Sequence, residues 1–75
     1  MRINDFVRLK KDAEVINSVT GKEVPGSIVN DGELWAIDHY EPESGMLNIS
    51  RVEYPHPGAY CSWVHEDDIL EVIRG

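Results

Sequence analysis

Trp63-Val-His-Glu-Asp-Asp-Ile-Leu-Glu-Val-Ile73 is the stretch on which the fold turns. Both of its ends are apolar and β-branched, whereas the middle, His65-Glu-Asp-Asp68, is polar and too short for more than one helical turn. It therefore reads as the end of a fifth strand over residues 59–64, one 3₁₀-type turn, and a closing strand over Ile69–Ile73. Three adjacent acids at that turn suit a solvated helix start, where negative charge meets the backbone dipole favourably.

Upstream the punctuation is regular. Thr20-Gly21, Pro25-Gly26, Asn30-Asp31-Gly32, Glu43-Ser44-Gly45 and Pro57-Gly58 separate short apolar and β-branched runs, the pattern of an all-β domain. Residues 5–10 read as the first strand, with Val7 and Leu9 on one face by the alternation of strand side chains. Residues 12–23 form a polar segment holding Val15, Ile16 and Val19, a long loop with some strand character. Pro25-Gly26 leads into a second strand at Ser27-Ile-Val-Asn30, and Asp31-Gly32 is a tight-turn signal. Residues 34–40 are apolar on both faces and supply the central strand, and residues 46–52 follow with Leu47 and Ile49 facing in. Tyr54-Pro-His-Pro-Gly58 cannot be a central strand, because each proline lacks a ladder donor.

Seventy-five residues allow one domain, 1–75, since a second core would have nothing left to bury. The 7 Lys and Arg stand against 14 Asp and Glu, for a net charge of −7. Ten of those acids lie between Asp31 and Glu71, where Arg51 is the one base. A protein that grips phosphates needs a basic stripe, so nucleic-acid binding is disfavoured. No apolar run reaches the roughly 20 residues of a membrane helix, so no membrane partner is expected. Residues 1–11 are basic with no apolar stretch behind them, unlike a secretory signal, and Cys61 alone can form no intrachain disulfide. The expected home is a reduced cytoplasm.

The order of parts resembles the SH3-like barrel superfamily found in small bacterial and phage proteins. The resemblance rests on Asp5-Phe-Val-Arg-Leu9, on Pro25-Gly-Ser-Ile-Val29, and on Trp63 to Ile73, which look like a strand, a single 3₁₀ turn and the closing strand. It implies a small barrel of five to six short antiparallel strands. The Ala-Leu-Tyr-Asp-Tyr segment by which eukaryotic SH3 domains bind Pro-rich peptides is missing, and the acidity argues against the KOW-type barrels of ribosomal and transcription proteins. Asp5-Phe-Val-Arg8, Pro25 to Val29 and Pro57-Gly58 are also similar in order to the plasmid-borne trimethoprim-resistant dihydrofolate reductases. Those enzymes carry a Val-Gln-Ile-Tyr motif where this chain has Ala59-Tyr-Cys-Ser-Trp63, so the activity does not carry over. What the resemblance does imply is a tendency to self-associate.

The side chains that could carry chemistry are few. Asp38, His39, Glu41, His56, Cys61 and His65 show neither the helical i, i+4 spacing nor the paired Cys/His pattern of a zinc site, although His39 and Glu41 share a strand face. Cys61 has acidic neighbours, which disfavour a thiolate, and reads as a small residue of the core or of a subunit contact. No catalytic residue, metal or cofactor is assigned.

Trp35, Tyr40, Tyr54, Tyr60 and Trp63 are five of the six aromatics, and all lie in the acidic part. If Tyr60, Ser62 and Val64 share one face, Cys61 and Trp63 share the other. Outward rings among Glu66 and Asp67 would form a patch for a basic or amphipathic protein partner. The expected function is a non-catalytic protein-binding module, of the kind an accessory protein of a phage or mobile element uses to alter a host protein. One version is mimicry of DNA by carboxylates. The alternative is a homo-oligomer with an enzymatic or small-ligand site at a subunit pore; a third is a purely structural subunit.

Overall fold

A computed structural model describes residues 1–52 and 61–75. Six strands form one sheet: β1 (Phe6–Leu9), β2 (Ile16–Asn17), β3 (Trp35–Glu41), β4 (Met46–Arg51), β5 (Ser62–His65) and β6 (Ile69–Ile73). All pairings are antiparallel, in the order β2-β5-β4-β3-β1-β6. One 3₁₀ turn, Glu66–Asp68, stands directly before β6. The chain is thus a small all-β fold. Among the described residues its ladder has two ends, β2 and β6.

The core follows from strand alternation. Residues directly opposite one another share a face, and the register sets Val7 against Trp35, Trp35 against Arg51, Ile37 against Ile49, and Leu47 against Val64. Each of the apolar members is buried, and Val15, Val24 and Val29 complete the cluster, with Leu9 packed against it. Burying one such side chain contributes about 1.5–3 kcal/mol, so a few residues supply most of what stabilises so short a chain.

The opposite face carries the alternate residues. His39 pairs with Asn48, Asn48 with Trp63, and Trp63 with Ile16, a row across four strands. Beside it runs a second row of Glu41, Met46 and His65.

Residues 25–29 depart from the expected second strand. Gly26–Val29 is a single helical turn (α1). The Pro25 carbonyl accepts from Ile28 N at 2.9 Å and Val29 N at 3.1 Å, and Asn30 N donates to Gly26 O at 2.9 Å. Proline is compatible with a helix start because its φ, here −54°, already suits one and the N–H it lacks would have had no partner. The turn swings Val29 into the core while Ser27 stays exposed, whereas a strand would have put both on one face. Short apolar runs do not separate these outcomes.

The polar segment before it has the expected partial strand character. Asn17 is buried, and its Oδ1 accepts from Val19 N at 2.8 Å and Thr20 N at 2.9 Å. That side chain closes a turn which returns the chain to a bridge between Glu23 and Ile16. Val19 stands out at the tip of this turn and is exposed.

Candidate functional site

Two turns meet at one end of the sheet. The β3–β4 turn ends on Gly45, and Glu66 N, the first amide of the 3₁₀ turn, donates to Gly45 O at 2.7 Å. Gly45 has φ 74°, and a Cβ there would lie 2.9 Å from His65 Nε2 and 3.2 Å from Glu66 Cγ. Only glycine supplies both the left-handed backbone and the close approach.

That contact gathers charged side chains from three places in the sequence. Tyr40, at the end of β3, donates its hydroxyl to Glu66 Oε2 at 2.5 Å. The bond to Glu66, then burial, then the Glu66 charge hold the Tyr40 phenol above its ordinary value of 10.0, so at neutral pH it is a donor. His65 Nδ1 accepts from Asp67 N at 3.1 Å and lies 3.4 Å from Asp67 Oδ2. His39 Nε2 lies 3.8 Å from Glu41 Oε1, and Ser44 Oγ lies 3.2 Å from Glu41 Oε2. Asp67 is exposed, and Glu66 is half-buried. The result is an acidic edge whose Glu66 carboxylate is oriented by a phenol.

Of the aromatic rings expected to meet a partner, Trp63 stands on the outward face and is half-buried, flanked in its row by Asn48 and Ile16. Tyr40 packs partly on the core, with its hydroxyl engaged by Glu66. Trp35 corrects the expectation: it is fully buried and offers no ring to a partner. A tryptophan buries up to about 250 Å², and in a small domain that area does more inside than outside. Tyr54, Tyr60 and His56 lie outside the described residues.

Cys61 is also corrected in part. It is exposed rather than in the core, at φ 51° just before β5, with its carbonyl accepting from Ser18 N at 2.8 Å and from Ser18 Oγ. Among the described residues, no three His, Cys, Asp or Glu side chains come together as a metal would require. A groove of about 290 Å³ between residues 11–15 and 23–30 is lined by Lys11, Asp12, Glu14 and Glu23 among others, with neither histidine nor cysteine in its wall.

Arg51 is the residue that sequence reasoning missed. Its side chain is 3 % exposed, with Nη1 2.7 Å from Asp31 Oδ2 and 2.9 Å from Ile28 O. Its guanidinium carbon lies 5.3 Å from the centroid of the Trp35 ring. The signal was present in β4, because Leu47, Ile49 and Arg51 share a face by alternation. The lone base of the acidic half thus holds α1 against the sheet and is withheld from the surface.

Comparison with protein-family models, with curated proteins and with solved structures finds no match to this chain.

Proposed function

We propose that this chain is a non-catalytic protein-binding module of the SH3-like barrel type, working through the face around Trp63, Glu66 and Asp67. The observation that carries the reading is Trp63 on the outward face, in one row with His39, Asn48 and Ile16 and next to the row of Glu41, Met46 and His65. The strand, 3₁₀ turn and closing strand at the C-terminal end support the resemblance to that superfamily. An aromatic ring on the same sheet face as the Glu41 carboxylate suits a partner bearing Arg or Lys: the ring accepts the cation on its face while the acids pair with it. Trp63 acts as anchor, Asp67 as an exposed charge, and Glu66 as a carboxylate held in place by Tyr40. Binding a basic surface of a host protein in the cytoplasm, as an accessory protein of a phage or mobile element would, is the mechanism that follows.

The test is capture of partners from nuclease-treated bacterial lysate on the tagged protein, with Trp63→Ala and an Asp67→Asn/Glu66→Gln variant beside it. A stoichiometric protein that survives nuclease, is lost with Trp63→Ala and weakens as salt rises supports the reading. If a captured protein ignores both variants, the face is not the binding site. An empty capture from the intact chain overturns the proposal.

A further inference from the structure

The 3₁₀ turn is pinned at both ends through its backbone. Glu66 N donates to Gly45 O at 2.7 Å, and Asp68 O accepts from Lys10 N at 2.8 Å. Between them the Asp67 amide donates to a side chain instead, His65 Nδ1 at 3.1 Å. The carboxylate of the same Asp67 stands 3.4 Å from that nitrogen, through Oδ2. One ring nitrogen therefore faces a donor and an acceptor that belong to one residue.

The nitrogen can serve only one of them at a time. An imidazole nitrogen without a proton accepts, whereas in the imidazolium both nitrogens donate. Neutral His65, with its proton on Nε2, suits the Asp67 amide and leaves the carboxylate, whose side chain is 85 % exposed, to solvent or to a partner. Once Nδ1 carries a proton it meets the amide donor to donor, and the acceptor within reach is Oδ2. Histidine is the side chain whose ordinary titration falls between about pH 5 and about pH 8.

The charged groups around the ring come from three directions. The turn brings Glu66, whose Cγ lies 3.2 Å from the place a Gly45 Cβ would take, with His65 Nε2 2.9 Å from that same point. Across the sheet, Met46 opposite His65 carries no charge, and Glu41 follows it in the row. On the β2 side the nearest titratable residue along the chain is Glu14, two before Ile16.

We propose that His65 is a proton switch on the acidic edge. Protonation moves its Nδ1 from the Asp67 amide to the Asp67 carboxylate, which withdraws that charge from a basic partner and loosens the complex as pH falls. The switch itself is a property of this chain alone, and its effect on binding rests on the protein-binding reading above. The direction follows from charge, because a cation added beside Asp67 and Glu66 weakens their attraction for Arg or Lys.

Nitrogen-15 NMR of the isolated chain between about pH 8 and about pH 5 tests the switch without a partner. At the upper end Nδ1 should show the shift of an unprotonated, accepting nitrogen. As the ring takes up its proton, the Asp67 amide should move towards the shift of an unbonded amide, with the ring's own midpoint. His65→Asn keeps an acceptor for the amide two residues on but does not titrate, so there the movement should be absent. Hexa-arginine is the probe for binding, at about pH 7.5 and about pH 5.5. The parent should lose about threefold more affinity on acidification than His65→Asn, in which His39 still titrates on the same face. An Asp67 amide indifferent to the ring's titration overturns the switch, and an equal pH response in parent and variant overturns its effect on binding. Failure of hexa-arginine to bind at about pH 7.5 counts instead against the acidic edge as a site for a basic partner, while the amide titration still decides the switch.

Discussion

Arg51 and Asp31 form an ion pair of 2.7 Å whose two ends lie in different surroundings. The arginine side chain is 3 % exposed beneath the sheet's core face and the aspartate 31 % exposed at a turn. Asp31 serves two masters: Oδ1 accepts from Glu33 N at 3.0 Å to close its turn, and Oδ2 meets Arg51. The pair is what couples α1, through Ile28 O, to β4. Removing Asp31 leaves the buried guanidinium uncompensated, whereas removing Arg51 leaves a carboxylate that water reaches. Asp31→Ala should therefore cost about 3–5 kcal/mol, most of the stability of a domain this size. Arg51→Ala, which loses the bond to Ile28 O, should cost about 1–3 kcal/mol. Urea unfolding of the two variants checks both, and an Asp31→Ala midpoint equal to the parent's would show the pair to be idle.

Gly45 concentrates two demands in one residue, its φ of 74° and the 2.9 Å approach of His65 Nε2 to the place of a Cβ. Gly45→Ala should cost about 1–3 kcal/mol. It should also displace the 3₁₀ turn, because Glu66 N hangs on Gly45 O. An amide spectrum in which Glu66 and Asp67 keep their resonances would contradict this. By contrast, Gly21→Ala meets no atom within 4 Å and carries only the cost of its φ of 72°.

The two tryptophans should be distinguishable by light. Trp35 is fully buried under Arg51, and Trp63 is half-buried on the outer face. Trp63→Phe should leave a single emitter that is blue-shifted and nearly inaccessible to acrylamide. Trp35→Phe should leave one that acrylamide quenches readily. Equal quenching of both variants would contradict the facing of β5.

Strand alternation made much of this arrangement legible beforehand. Val7 and Leu9, Leu47 and Ile49, the interior position of β3 and the turn before β6 all follow from a period of two and from the placement of glycine and acids. The same rule allowed Trp63 to face outward once Ser62 and Val64 faced in. It failed at α1, where four residues satisfy strand and helix equally and the decision falls to Arg51 reaching Ile28 O across 23 positions. Trp35 was misread for a related reason. A strand apolar on both faces does not reveal which face the core occupies until its neighbours are known, and those neighbours, Val7 and Arg51, come from distant parts of the chain. The acidic end was equally hidden, since nothing local joins Tyr40 to Glu66 or Gly45 to the 3₁₀ turn.

The Tyr40–Glu66 bond gives stability a pH dependence of definite sign. Its phenol is held above 10.0 when folded, chiefly by donating to Glu66. The folded state therefore keeps this proton more firmly than the unfolded state does. Stability from the bond is complete below the unfolded value and is lost as pH rises through the folded one. Total stability at alkaline pH does not by itself isolate the effect. The difference between the parent and Tyr40→Phe does. Measured by urea unfolding between about pH 8 and about pH 11, that difference should be flat at first and then shrink with rising pH. Tyr40→Phe should also remove from the absorbance of the folded protein a phenol that titrates above 10.0. A difference that grows with pH would mean that Glu66 does not hold this proton.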